Sequence, residues 1–150
     1  MSLSQLRLDN QVCFLFHRVC RELDAAYRAL LDPLGMTYPQ YLVMLVLWER
    51  DGIGVGELGD RLALDSGTLS PLLRRMERAG LVSRARDAAD ERRVTVRLTA
   101  TGRSMEGRAA GIPAALADLV EDDPATYEAV RAGLRDLVDR IAAARAGAAH

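Results

Sequence analysis

Residues 55–98 read VGELGDRLALDSGTLSPLLRRMERAGLVSRARDAADERRVTVRL, and this segment predicts two short helices followed by a β-hairpin. The first helix is expected over residues 55–62; the second can be capped by Asp65 and should end at Gly80. Strand-like alternation over residues 81–84 and 94–98 then flanks a charged tip. The apolar residues of the second helix recur at helical spacing and predict a buried stripe: Leu69, Leu72, Leu73 and Met76. This order of elements predicts a helix-turn-helix with a wing.

Two longer helices are expected before this segment. Apolar residues at three- and four-residue steps predict an amphipathic helix from Asp9, its expected cap, to Leu31. Thr37 and Gln40 form a capping-box pattern around an early proline and start a second helix that runs to about residue 50. Because this second helix is apolar on nearly every side, it should be central, with Trp48 in the core. Residues 51–54 are expected to form a turn.

Two further helices are expected after the hairpin. One should run from Thr99 to about residue 118 with a kink at Pro113, and the other from about Pro124 to Ala144. We predict one domain over residues 1–150, mainly α with a small β-wing. Residues 1–35 and 100–150 would supply dimerisation helices, and residues 36–99 the winged helix-turn-helix.

Composition favours a cytoplasmic globular protein. Hydrophobic residues make up 49% of the chain, which can supply a core, and no apolar run is long enough to span a membrane or resembles a cleaved leader. Two cysteines are too few for a disulfide framework, and we expect no metal or cofactor. The net charge is −1, yet residues 61–97 hold nine arginines against five acidic residues. A basic surface confined to one region is typical of nucleic-acid binding.

Four separated motifs indicate a known family. The segment DERRVTVRLT at residues 90–99, with the order of elements, resembles the MarR family of winged-helix repressors over nearly the whole chain. Residues 8–14 (LDNQVCF), 37–41 (TYPQY) and 64–73 (LDSGTLSPLL) look like the OhrR branch, whose members respond to organic hydroperoxides. The resemblance implies a homodimer on double-stranded operator DNA.

The candidate DNA-binding residues lie on the second helix of the helix-turn-helix and on the hairpin. Small hydroxyls near a helix N-terminus can meet phosphates or base edges, and arginines one turn later can bind phosphate. An arginine at a hairpin tip can enter the minor groove, and we expect Arg92 to do so. The resemblance implies that Asp90 holds Arg92 by a salt bridge and that Arg84, Arg86 and Arg93 add phosphate contacts. The helix residues are Ser66, Thr68, Ser70, Arg74 and Arg75.

Cys13 is the candidate sensor. Its place near the start of the first helix would favour a thiolate, the nucleophile that a peroxide sensor needs. Spacing alone leaves open a packed core cysteine, and the resemblance favours the reactive thiol. It also implies that Tyr27 and Tyr38 donate hydrogen bonds to Cys13 across the subunit boundary. Tyr27 lies about 21 Å along the helix from Cys13, so it can reach only the partner's thiol.

His17 stands where the family usually has an aromatic hydroxyl, four residues after the cysteine. It can donate a hydrogen bond to Cys13, or it can simply be packed. Cys20 is a possible second thiol. Seven residues of helix separate it from Cys13 by about 10.5 Å, too far for a disulfide within one chain. The chain thus resembles the one-cysteine class, in which a small cellular thiol captures the oxidised cysteine, unless Cys20 of the partner subunit resolves it.

The sequence therefore predicts a redox-sensing repressor that releases a pseudo-palindromic operator when an organic hydroperoxide oxidises Cys13. One alternative is a MarR-type repressor gated by a small phenolic or lipophilic ligand. The other is a thiol peroxidase, for which the chain offers no resolving pair, His/Asp constellation or glycine-rich cofactor loop. We expect no enzyme and no membrane partner.

Overall fold

The computed structural model describes residues 6–86, 94–120 and 123–147 and shows a mainly helical chain with a small antiparallel sheet, as the sequence predicts. The strands are β1 (Ile53–Gly54), β2 (Val82–Arg86) and β3 (Val94–Leu98). The α-helices are α1 (Val12–Leu31), α2 (Tyr38–Glu49), α3 (Val55–Leu62), α4 (Ser66–Arg78), α5 (Ala100–Ala109), α6 (Ile112–Val120) and α7 (Pro124–Gly147).

Helix α2 is the centre of the core. Its capping box forms as predicted, with Gln40 Oε1 accepting a hydrogen bond from the Thr37 backbone N–H at 2.8 Å. Val43, Met44 and Leu47 are fully buried, and α1, α3, α4 and α5 all contact this helix. Trp48 is half-buried rather than a core residue, and its Nε1 donates a hydrogen bond to the Gly102 carbonyl at 3.0 Å.

The helix-turn-helix forms with the predicted boundaries. Helix α3 ends at Leu62, and α4 begins after its cap Asp65. Gly80, with a φ of 70°, turns the chain out of α4. The Leu81 and Gly80 N–H groups donate to the Met76 and Glu77 carbonyls at 3.0 and 2.9 Å, so the helix closes with a Schellman motif.

The sheet has the order β1-β3-β2. Strands β2 and β3 form the predicted hairpin, with Val82 opposite Leu98 and Arg86 opposite Val94. The turn predicted over residues 51–54 is confirmed at residues 51–52 and wrong at residues 53–54, since Ile53 pairs with Val96 and forms the third strand. Sequence patterning overlooks β1 because two residues show no alternation, and the strand exists only through its distant partner.

Two helix predictions also need correction. Asp9 does not cap α1: residues 8–10 form a 3-10 turn, the Gln11 N–H donates to the Leu8 carbonyl at 2.9 Å, and Gln11 becomes the N-cap. The expected kink at Pro113 is instead a break between α5 and α6. Proline has no N–H to continue the α5 hydrogen bonds, and it is favourable in the first turn of the new helix.

The chain divides into two compact units, Met1–Ala110 and Gly111–His150. The first holds α1 to α5 with the sheet, and the second holds α6 and α7. Both contain exposed large apolar side chains, among them Val12, Leu15 and Val19 on α1 and Val130, Leu134, Val138 and Ile141 on α7. The single domain and the dimerisation helices stay predictions. No helix in the described part of the chain is long and apolar enough to cross a membrane.

Candidate DNA-binding surface and thiol site

The N-terminal end of α4 presents the predicted hydroxyl side chains. The Asp65 carboxylate accepts a hydrogen bond from the Thr68 backbone N–H at 2.8 Å, and this bond lowers the pKa of Asp65. Ser66 and Thr68 are exposed, and Ser70 is half-buried. Hydroxyls beside the N–H groups of a helix start can donate hydrogen bonds to phosphate oxygens or base edges.

The two faces of α4 differ sharply. Leu69, Leu72, Leu73 and Met76 are buried, as predicted, and they fix the helix against the core. Arg74 and Arg75 are exposed on the other side. The helix therefore offers hydroxyls at its beginning and guanidinium groups one turn later on an accessible face.

The structure describes the two strands of the hairpin, β2 up to Arg86 and β3 from Val94. Arg86 is exposed at the end of β2. Asp90, Arg92 and Arg93 fall outside the described residues, so their contacts stay predictions. Beside the hairpin, an open groove of about 920 Å³ lies between the sheet and the start of α4, with Ser70 among its lining residues.

An ion pair joins α4 to the hairpin. The Arg84 guanidinium donates to Glu77 through Nε at 2.7 Å, and the Arg84 backbone N–H donates to the other carboxylate oxygen at 3.0 Å. These hydrogen bonds and the positive charge of Arg84 lower the pKa of Glu77. Arg84 thus has a positioning role that sequence patterning missed, and its phosphate contact stays a prediction. The sequence signal that could have revealed this contact is the pair of opposite charges, Glu77 and Arg84, on either side of the turn at Gly80.

Cys13 is the second residue of α1 and is exposed. The first turn of a helix carries N–H groups without helical partners, and these groups carry partial positive charge. With Gln11 rather than Asp9 as the N-cap, Cys13 lies two residues, or about half a turn, nearer this charge than the sequence predicts. His17 follows one turn later on the same face and is exposed.

Tyr27 and Tyr38 meet within the chain, with ring centroids 4.2 Å apart and a hydrogen bond between their side chains. Burial and the nearby Asp24 charge raise the pKa of Tyr38, and this hydrogen bond partly opposes the rise. Burial also raises the pKa of Tyr41, whose ring lies 6.1 Å from that of Tyr27. The hydroxyls of Tyr38 and Tyr41 therefore stay protonated at neutral pH, and Tyr38 keeps a proton to donate.

One chain does not bring these tyrosines to Cys13. Helix α1 is unbroken from Val12 to Leu31, so Cys13 and Tyr27 lie about 21 Å apart along its axis. Cys20 lies between them, is exposed, and interacts electrostatically with Tyr38. Asp24, one turn after Cys20, is a neighbour of Tyr38 that the sequence analysis missed. Within the described residues no His, Cys, Asp and Glu side chains are grouped to hold a metal ion.

Comparison with known proteins identifies relatives along the chain. Residues 25–107 match the family described as Transcriptional regulator SarA/Rot. The organic hydroperoxide resistance transcriptional regulator of Bacillus subtilis is 40% identical over 136 residues, which are 91% of this chain and 92% of that protein. The transcriptional regulator TtmR of Methylorubrum extorquens is 52% identical over 106 residues, which are 71% of this chain and 54% of TtmR.

A solved structure is also similar to this chain over nearly its whole length. Reduced AbfR bound to DNA, a Staphylococcus epidermidis protein, superposes with a TM-score of 0.81 at 32% identity, covering 94% of this chain and 96% of that chain. Fold and exposed α4 together define a winged-helix DNA-binding transcriptional regulator. The chain belongs to the family of the organic hydroperoxide resistance regulator and of the SarA/Rot proteins, which are regulators of the MarR type. These relatives are regulators and not enzymes, which agrees with the prediction from sequence.

Proposed function

We propose that two copies of this chain form a repressor that releases its operator when an organic hydroperoxide oxidises Cys13. The observation that carries this proposal is the exposed Cys13 in the first turn of α1. It gains support from the similarity to a regulator named for organic hydroperoxide resistance. The operator would be a pseudo-palindrome with half-sites about one helical turn apart, because two recognition helices must enter successive major grooves.

In the DNA-bound state, α4 lies in the major groove. Ser66, Thr68 and Ser70 bind near its beginning, and Arg74 and Arg75 bind phosphate. The ion pair between Glu77 and Arg84 supports this proposal because it fixes the hairpin to the recognition helix. Arg86 and Arg93 then add phosphate contacts, and Arg92, held by Asp90, enters the minor groove.

In the sensing step, the Cys13 thiolate attacks the terminal peroxide oxygen. The O–O bond breaks, the alkoxide leaves and takes up a proton, and Cys13 becomes a sulfenic acid. A small cellular thiol then attacks the sulfenic sulfur and displaces water. The product is a mixed disulfide that places a bulky group at the start of α1.

The reactive thiol receives its hydrogen bonds from the second subunit in this proposal. Tyr27 and Tyr38 are supported as a donor pair by their contact and by the raised pKa of Tyr38. Since they lie far from Cys13 in the same chain, they serve the Cys13 of the partner subunit. His17 of the same chain adds a third donor, in the place where the family usually has an aromatic hydroxyl.

A mobility shift with the DNA upstream of the chain's own gene tests the proposal. Wild type and Cys20→Ser should bind and then release this DNA after an organic hydroperoxide and a small thiol are added. Cys13→Ser should bind and stay bound. An unchanged hydroperoxide response in Cys13→Ser would contradict the proposal and favour the ligand-gated alternative, for which the groove beside α4 offers space.

A further inference from the structure

The stripe of α1 that carries Cys13 is nearly symmetric about its middle. Cys13, His17, Cys20, Asp24 and Tyr27 follow one another at alternating steps of four and three residues, so they lie on one face of the helix. Cys20 comes seven residues after Cys13 and seven before Tyr27. The first four of these side chains are exposed. This face therefore has thiols and charged groups available to a partner.

The first step rests on the proposed function, in which Cys13 of one subunit meets Tyr27 of the partner subunit. Two-fold symmetry requires the reciprocal contact as well. Each α1 is then held at two points about 21 Å apart, which fixes two straight helices side by side and antiparallel. The point midway between the two contacts lies on the symmetry axis, and Cys20 occupies it.

We propose that α1 packs against α1 of a second copy in one antiparallel register, with the two-fold axis passing between the two Cys20 side chains. In this register His17 of each subunit lies beside Asp24 of the partner subunit. Packed helix axes are about 8–10 Å apart and Cα atoms lie about 2.3 Å from each axis. Facing Cys20 Cα atoms would thus be separated by about 3.4–5.4 Å, which overlaps the range of about 4.4–6.8 Å that a disulfide spans.

Charge complementarity supports the same register without reference to the sensing mechanism. An axis at Asp24 would place two carboxylates against each other, and an axis at His17 would place two imidazoles against each other. With the axis at Cys20, each His17 imidazole instead lies at nearly the same height along the helices as the Asp24 carboxylate of the partner subunit. The offset along the axis is one residue, or about 1.5 Å. Asp24 makes no salt bridge within the described part of its own chain, so its carboxylate is available for this contact.

The register also assigns Cys20 a place that excludes it as the resolving thiol. Cys13 of one subunit lies seven residues, or about 10.5 Å along the axis, from the level of Cys20 of the partner subunit. This exceeds the roughly 7 Å limit on the Cα separation for a disulfide. Cys20 faces Cys20 of the partner subunit, and a small thiol is the species that captures oxidised Cys13.

Thiol cross-linking of the full chain tests the register. Dibromobimane, a short reagent that becomes fluorescent when it bridges two thiols, is added to Cys13→Ser and Cys20→Ser proteins shown by light scattering to be dimers. Cys13→Ser, which keeps Cys20, should give a fluorescent covalent dimer. Cys20→Ser, which keeps Cys13, should not. The proposal is overturned if the protein is a monomer, or if the Cys13→Ser dimer is not cross-linked through Cys20. It is also overturned if Cys20→Ser is cross-linked through Cys13, or if cross-linking needs both cysteines.

A second pair of variants tests the contact between His17 and Asp24. In the Cys13→Ser/Cys20→Ser protein, adding His17→Cys together with Asp24→Cys should restore the covalent dimer, and His17→Cys alone should not. Equal cross-linking by both would overturn the register. Hydroperoxide-dependent DNA release by Cys20→Ser is measured separately. If Cys20→Ser no longer releases DNA while Cys13→Ser is still cross-linked through Cys20, the proposed function is contradicted. If Cys20→Ser releases DNA but Cys13→Ser is not cross-linked, only the register is contradicted.

Discussion

The two exposed thiols of α1 have different surroundings. Cys13 lies in the first turn, where backbone N–H groups stabilise negative charge. Cys20 lies mid-helix, where the backbone N–H groups are bonded within the helix. Cys13 is the reacting thiol of the proposed function, so we expect hydroperoxide to consume Cys13 before Cys20.

His17 gives a prediction at the residue scale. In a Cys20→Ser background, His17→Phe should slow the reaction of Cys13 with an organic hydroperoxide about threefold to tenfold. This is the effect of losing one hydrogen bond worth about 1 kcal/mol to the thiolate. His17→Tyr restores a donor and should react nearly as fast as the parent. The measurement is the loss of free thiol with time, and equal rates for His17→Phe and the parent would leave His17 no donor role.

Local patterns predicted the helix-turn-helix because its signals are carried by neighbouring residues. The cap Asp65, the buried stripe and the stop at Gly80 each act within a turn or two of α4. The boundaries of α3 were predicted from equally local patterns. The position of Cys13 near a helix start was found for the same reason, although Asp9 was the wrong cap. The 3-10 turn that replaces this cap is a backbone arrangement that side-chain patterning does not show.

Features that depend on distant partners could not be predicted in this way. Strand β1 exists because Ile53 pairs with Val96, and the Glu77 to Arg84 bond forms across a turn. The separation of Tyr27 from Cys13 followed from helix length alone, whereas the contact between Tyr27 and Tyr38 needed the packing of α1 on α2. The sequence thus indicated which side chains matter, and the fold decided which of them meet.

The ion pair between α4 and β2 should stabilise the fold in a pH-dependent way. The folded pKa of Glu77 is lowered by Arg84, so its contribution is present above the unfolded value of about 4.3 and is lost as pH falls through the folded pKa. Glu77→Gln should reduce the free energy of unfolding by about 1 kcal/mol at pH 7. That difference from wild type should shrink below about pH 4.

Urea denaturation at several pH values measures this effect. Glu57→Gln is the matched control, because the pair between Glu57 and Arg50 is more exposed and should contribute almost nothing. A Glu77→Gln deficit that stays constant down to acidic pH would contradict the assigned cause.

Close packing of α5 against the hairpin gives a second prediction at this scale. A Cβ at Gly102 would lie 2.1 Å from the Leu81 carbonyl oxygen, a backbone atom that cannot move aside easily. Gly102→Ala should therefore lower the free energy of unfolding by about 1–3 kcal/mol or more. Gly107→Ala on the same helix meets no atom within 4 Å and should be neutral or stabilising by up to about 1 kcal/mol. Thermal unfolding compares the two variants, and similar melting temperatures would contradict this account.

At the scale of the whole molecule, packed helices join the Cys13 region to the candidate DNA-binding surface. Helix α1 contacts α2 through Tyr27 and Tyr38, and α2 contacts α4, which carries the exposed hydroxyls and arginines. A bulky adduct at Cys13, on a helix shared between subunits in our proposal, would shift α1. The distance between two recognition helices would then change, and both could no longer fit their half-sites.

The affinity of the single-thiol protein Cys20→Ser for operator DNA tests the central claim most directly. Fluorescence anisotropy gives the Kd before and after one equivalent of an organic hydroperoxide with a small thiol present, and mass spectrometry identifies the modified residue. We predict that the Kd rises at least about tenfold, a change of about 1.4 kcal/mol, as Cys13 gains the adduct, and that a strong reductant restores it. An unchanged Kd for protein whose Cys13 is fully modified would contradict the account.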